Sequence, residues 1–260
     1  MKSYNYYVTF SGGLWDATTQ QIVEKAPQFG ADEVLVYDDQ WLMAQEFYTL
    51  NRHMWDPHPF HRGFGWWCWK AFVIWKALER CQEGDVVLYT DADTYPIRDL
   101  SVLYQQCRID GGMMLFECSM WWQREWCKRD CYIVMDADTV ENHALKAACG
   151  RFILFQKGPW RVQQFLMEWQ TYLVNLKANG RDLSTLGPEL AGFREHREDQ
   201  AILTILAHRY GLKLYREADQ TGGGYSNDKE LYPVLFHQES PWERHAEVTA
   251  AVTGSRFRNV

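Results

Sequence analysis

The sequence predicts an α/β protein built on a parallel sheet, and three stretches carry that prediction. The first is the opening order: an apolar run at 6–10, a helical stretch at 18–25 and a second apolar run at 33–37. Strand, helix, strand is the order that lays two strands side by side in parallel. The second is 86–89, four apolar residues entered from a Gly84-Asp85 turn, which read as a buried strand. The third lies just before it. Ala71, Trp75 and Leu78, and likewise Ile74, Leu78 and Cys81, recur at helical spacing while Lys76, Glu79 and Arg80 face water. A helix over 69–80 then delivers the chain to the buried strand. The 260 residues, 47% of them apolar, suffice for one large domain spanning 1–260, and no linker or low-complexity segment divides them.

The other elements follow in order. Ser11-Gly12-Gly13 breaks the first strand, and a backbone turn there is suited to approach a nucleotide. Residues 51–66 are irregular and rich in His, Pro and aromatics. Lys70 opens the 69–80 helix, where free amides already attract anions; it reads equally as a surface lysine beside a tryptophan core. A short helix and a strand at 113–117 come after Leu100. An apolar run at 131–135 leads into a second Asp-Ala-Asp-Thr at 136–139 and then a helical stretch, so Asp138 or Thr139 is read as its N-cap. A strand is expected at 151–156. Val162, Phe165, Leu166, Trp169, Leu173 and Leu176 mark an amphipathic helix whose stripe is core. Residues 179–197 form a polar connection before a helix at 199–210 stopped by Gly211. A strand at 212–215, a glycine-rich loop at 221–225 and a last strand at 232–236 complete the set.

The run 86–89 stops at two carboxylates, Asp91 and Asp93. Residues i and i+2 of a strand point the same way, and two acids so close repel unless a cation or a proton lies between them. The carboxyl end of a parallel sheet is also where α/β folds place ligands. Asp91 and Asp93 are therefore expected to hold a hard divalent metal, Mn²⁺ or Mg²⁺, which in turn holds an anionic substrate. The competing reading is an acidic turn that caps the next helix. The first Asp-Ala-Asp is preferred over the copy at Asp136 and Asp138 because the second runs into a helix and reads as its N-cap.

Composition narrows the partners. A net charge of −7 argues against nucleic acid bound through its backbone. Thirteen Trp supply planes that stack on sugars or bases, though Trp also fills cores. Seven Cys without a C-x-x-C pair suggest reduced thiols and a cytoplasmic setting. The N-terminal residues do not read as a signal peptide, and no apolar run approaches the roughly 20 residues of a membrane span.

Gly63-Phe-Gly-Trp-Trp-Cys-Trp-Lys70, a helix, then Gly84-Asp-Val-Val-Leu-Tyr-Thr-Asp-Ala-Asp93 resembles GT-A fold glycosyltransferases of bacterial surface-polysaccharide loci. Trp126-Cys-Lys-Arg-Asp130 and Glu195-His-Arg-Glu-Asp-Gln200 are similar to elements of the same group, so the resemblance runs from Tyr6 to His237. It implies a mostly parallel central sheet flanked by helices, with Asp91 and Asp93 binding the metal on a nucleotide-sugar diphosphate. Arg62, Lys70 and Ser11 would join Asp91 around that donor. Asp199 and Gln200 resemble the Asp-Gln pair of retaining members and would line the reacting face, with Glu195 or Asp199 the base if the enzyme inverts instead. The reading in which Asp199 merely caps its helix stays open. A glycan or lipid-linked acceptor follows, with peripheral contact at the inner face of the membrane.

A third metal ligand is expected at His237, because two aspartates do not fill a shell of about six. His237 follows the apolar run 232–236, and His237-Gln-Glu-Ser-Pro-Trp242 loosely resembles the His-x-x-Gly…Lys-Pro-Trp segment of retaining members, without its Gly and Lys. His245 is a weaker substitute. Two other classes compete. Asp-x-Asp-x-Thr after a strand also resembles the nucleophile motif of haloacid-dehalogenase phosphatases, with Asp91 attacking phosphorus. The tryptophans also suit a non-catalytic sugar-binding module.

Overall fold

The computed structural model describes residues 2–12, 16–55, 63–222 and 232–239. Arg62, the loop beyond Gly222 and His245 lie outside them. The strands are β1 (Asn5–Ser11), β2 (Glu33–Asp38), β3 (Val86–Asp91), β4 (Thr94–Pro96), β5 (Met113–Trp122), β6 (Lys146–Gln156), β7 (Leu214–Arg216) and β8 (Phe236–Gln238). The longer helices are α1 (Asp16–Lys25), α2 (Lys70–Glu79), α3 (Ser101–Ile109), α4 (Trp160–Leu173) and α5 (Glu198–Arg209).

Six strands form the central sheet in the order β2-β1-β3-β6-β5-β7. β1 is parallel to β2 and β3, β5 is parallel to β7, and β6 is antiparallel to both its neighbours. Five of the six strands therefore share one direction, which is the mostly parallel sheet between helices that the sequence leads one to expect.

Side-chain alternation splits the core into two layers. Tyr6, Val8 and Phe10 of β1 and Val87 and Tyr89 of β3 pack on one face with α2, α4 and α5. Tyr7, Val86 and Leu88 pack on the other with α1 and α3. β3 is buried on both faces, so its sequence is a continuous apolar run rather than an alternating one.

Two expectations shift. The helical stretch expected over 140–148 is a helix only at Val140–His143, and β6 begins at Lys146 rather than 151, with Ala147 and Ala148 buried in the sheet. The last strand forms not at 232–236 but at Phe236–Gln238. It pairs antiparallel with β4, outside the central sheet. Pro233 lacks the N–H a ladder needs, and β7 holds the place beside β5. Among the described residues no helix is long and apolar enough to cross a membrane.

Candidate active site

Alternation decides where the first acid points. Val87 and Tyr89 face α2 and α5, so Asp91, two residues beyond Tyr89, faces them too. Both helices open on this side, α2 at Lys70 and α5 at Glu198-Asp199. The Lys70 side chain is 2% exposed. Its ammonium donates to the Gly150 carbonyl (2.9 Å) and Asp199 Oδ2 (2.7 Å) and lies 3.1 Å from Asp91 Oδ1. Lys70 is thus a buried tie between two acids rather than a surface lysine.

The charges disturb one another. Burial pushes the Asp91 carboxyl up to about 6; Asp93 and Asp199 add to this and Lys70 opposes it. Burial likewise raises Asp199 against the pull of Lys70. Burial pulls the Lys70 ammonium down, but Asp199 and Asp91 outweigh it and its pKa is raised. Tyr89, buried and held protonated, donates to Asp91 Oδ1 at 3.0 Å. Asp93, in the turn to β4, accepts from Thr94 Oγ1 (2.7 Å) and Gln238 Nε2 (2.9 Å).

These groups line a cavity of about 730 Å³. Of the residues singled out from sequence, Lys70, Asp91, Asp93, Asp199 and Gln200 stand on its wall. Ser11 accepts from Thr19 Oγ1 (2.8 Å) and lines a separate pocket of about 440 Å³ with Gly12, Asp38 and Asp39, at the ends of β1 and β2. Glu195 is off the cavity wall, 3.0 Å from Arg181 and 3.8 Å from Arg197, and Glu198 stands on the wall instead. Glu198 is buried against Arg181 and has a left-handed backbone (φ 35°); the backbones of Trp66 and Trp67 are left-handed too (φ 53° and 54°). Strained backbone of this kind collects at functional sites.

His237 lies opposite Tyr95 in the β4–β8 pair, its ring 5.3 Å from the tyrosine ring. The next residue, Gln238, reaches the cavity and Asp93. Among the described residues, Cys118, Cys149 and Glu217 bring three potential ligand atoms within 4.8 Å of one another; Asp91, Asp93 and His237 do not. The two aspartates nevertheless suit a hard cation. They offer oxygen donors, and Asp93 and Asp199 add to the rise that burial gives the Asp91 carboxyl.

The second Asp-Ala-Asp-Thr is structural. Thr139 caps the short helix Val140–His143 by accepting from the Asn142 amide, and Asp138 pairs with Arg129 and His143. Asp130 is buried too, accepting from the amides of Thr185 and Leu186.

Sequence reasoning missed Gly150, Arg151 and Gln238. A Cβ at Gly150 would meet Asp199 Oδ2 at 3.0 Å and Lys70 Nζ at 3.5 Å, so a larger residue there would press on the Asp199 carboxylate and shift the tie. Arg151 joins Gln238, Glu217 and Asp219 at the cavity wall. A glycine and an arginine in the middle of an otherwise apolar strand were the available signal.

No protein-family model and no curated protein matches the sequence. Solved structures resemble it weakly. Mouse xyloside xylosyltransferase 1 aligns at 10% identity over 92% of this chain and 98% of its own, with a TM-score of 0.46. A glycosyltransferase involved in glycosylating the major capsid of PBCV-1 aligns at 10% identity over 94% and 99%, with a TM-score of 0.47. The galactosyltransferase LgtC, solved with donor and acceptor sugar analogues, aligns at 13% identity over 95% of each chain, with a TM-score of 0.41. In this chain the site is two acids at a strand end, one of them tied through a buried lysine to a third acid at a helix start.

Proposed function

We propose that the protein is an enzyme, a metal-dependent glycosyltransferase of the GT-A type with a single domain. It moves a sugar from a nucleotide-diphosphate sugar to a glycan or lipid-linked acceptor in surface-polysaccharide synthesis. One observation carries this reading. Asp91 and Asp93 end β3 on the wall of a large cavity that also holds the buried Lys70–Asp199 pair, and the Ser11 pocket lies next along the sheet.

The residues divide the work. The nucleoside is assigned to the Ser11–Asp38 pocket and the diphosphate to the Asp91–Asp93 end. Asp91 and Asp93 would hold Mn²⁺ or Mg²⁺, with His237 the third ligand expected from sequence and Arg62 further charge for the donor. The ion supplies charge stabilisation on the departing diphosphate. In the transfer, the bond from the anomeric carbon to the diphosphate breaks and a bond to the acceptor oxygen forms. The hydroxyl proton leaves to the diphosphate or to water. Lys70 fixes Asp91 and Asp199 relative to one another, so the diphosphate end and the reacting face move as one unit. Asp199 and Gln200 are assigned to the reacting face, and a retaining outcome follows from that pair. Glu195, off the wall, is left a supporting role through Arg197. We place the protein in the cytoplasm, in peripheral contact with the membrane's inner face.

Thermal-shift screening of nucleotide sugars with and without Mn²⁺ tests the reading, since a ligand bound only to the folded state raises its stability. At least one nucleotide sugar should stabilise the wild type in a metal-dependent way, and Asp93→Ala should lose both the shift and transfer. Wild-type turnover by Asp93→Ala under chelator would end the metal assignment. Steady phosphate release from aryl phosphates, lost in Asp91→Asn, would favour a phosphatase.

A further inference from the structure

We infer that the β5 end of the cavity, formed by Trp121, Met120 and Arg197, is the acceptor subsite and that it takes a pyranose ring stacked on Trp121. This rests on the glycosyltransferase reading above and adds the place and chemistry of its second substrate.

The order of the sheet spaces the chemistry. Ser11 is on β1, Asp91 on β3, Gly150 and Arg151 on β6, and Met120 and Trp121 on β5, and these strands are consecutive neighbours. Neighbouring strands lie about 4.8 Å apart, so β1 to β5 is about 14 Å. A donor whose nucleoside sits over β1 and whose diphosphate sits at β3 carries its sugar toward β6. The group that receives the sugar must then lie over β5.

That position is built for a ring with one apolar face. Trp121 lines the cavity half-buried, backed by the Trp126 indole at 4.6 Å and 23°. The Arg197 guanidinium sits against both indoles, 4.8 and 4.9 Å from their centroids, which fixes its orientation. Met120, on the same wall, is 61% exposed. A flat indole meets the C–H face of a pyranose well, and the sugar's hydroxyls then project to the side.

Two residues of the wall carry spare donors. Arg197 Nε and Gln200 Nε2 are buried and make no hydrogen bond among the described residues. Both residues line the cavity. Buried donors left unmade are unfavourable, so a ligand offering oxygen acceptors at this point gains what the protein does not supply. Pyranose hydroxyls and ring oxygens are such acceptors; a hydrocarbon chain is not.

The test is saturation-transfer NMR on the full chain with maltose, lactose and cellobiose, comparing wild type with Trp121→Ala and Trp121→Phe. We expect at least one disaccharide to bind wild type, to bind Trp121→Ala about tenfold more weakly, and to bind Trp121→Phe within about threefold of wild type, since Phe keeps an aromatic face. If Trp121→Ala does not fold, Trp121→Leu takes its place. Equal binding by wild type and Trp121→Ala, or no binding of any disaccharide to wild type, overturns the inference. The thermal shift of wild type with nucleotide sugars is read separately. Disaccharide binding that depends on Trp121, without any nucleotide-sugar response, retains the sugar subsite and removes the transferase reading.

Discussion

Lys70 shows how much a single side chain can decide. Its ammonium is shared by Gly150, Asp199 and Asp91, and water is excluded from it. Breaking a buried ion pair by removing one partner is far worse than never having built it. Lys70→Met should therefore lower unfolding stability by about 3–5 kcal/mol in urea titrations. Lys70→Arg should recover only part of this, because a planar fork replaces a compact ammonium. His196 makes a second prediction. It is buried, its Nδ1 accepts from the Lys128 amide and its Nε2 lies 2.8 Å from the Ala178 carbonyl. Burial and the nearby Lys128 charge push its pKa down to about 3. Below the unfolded value near 6.5 the unfolded chain binds a proton that the folded chain refuses, so this contribution to stability is present above about pH 6.5 and is lost as pH falls toward 3. The slope should reach at most about 1.4 kcal/mol per pH unit, and His196→Ala should flatten it in urea midpoints measured across that range. The sequence placed Lys70 at a helix start but not inside the molecule. Its partner Asp199 is 129 residues away, and spacing says nothing of which carboxylate arrives there.

At the scale of elements, what was legible was whatever formed one continuous local pattern. The run at 86–89, the helix at 69–80 and the first three elements emerged within a residue or two of their observed bounds. What was not legible depended on partners. The start of β6 has helix-favouring alanines overruled by its neighbours β3 and β5. β8 is three residues long and exists only because β4 lies beside it, so a strand shifted along the sequence put His237 where Gln238 stands. Three of the five expected groups on the cavity wall are strand-end or helix-start acids, the positions that periodicity locates best. Gly150 and Arg151 are missed because a glycine's meaning lies in what crowds it. Gly150→Ala should cut turnover about 10- to 100-fold, a displacement effect on the Lys70–Asp199 tie. Steady-state kinetics beside a melting curve checks this: loss of folding rather than of rate would show the tie is only structural.

On the scale of the whole molecule, the site joins both faces and both ends of the chain. Residues 232–239 cross back over it. Gln238 bonds Arg151 and Asp93, the Glu239 amide donates to the Asp93 carbonyl, and the Glu239 carboxylate accepts from Thr18. The central sheet owes none of its six strands to this segment. A chain ending at Tyr232 should therefore keep its far-UV circular dichroism and lose metal-dependent stabilisation by nucleotide sugars. Leu235 and Phe236 of this segment are buried in the core, so the shortened chain should also unfold at lower urea than the full one.

The Gln238–Asp93 contact spans 145 residues of sequence. During synthesis, then, Asp93 emerges early and its Gln238 partner emerges late. A ribosome that stalls between Arg216 and Gln238 releases a fragment that carries all six strands of the central sheet but lacks the Gln238–Asp93 contact. On the proposed function, such a fragment would hold the acids assigned to the donor without the residue that braces Asp93, and should bind nucleotide sugars more weakly than the finished chain.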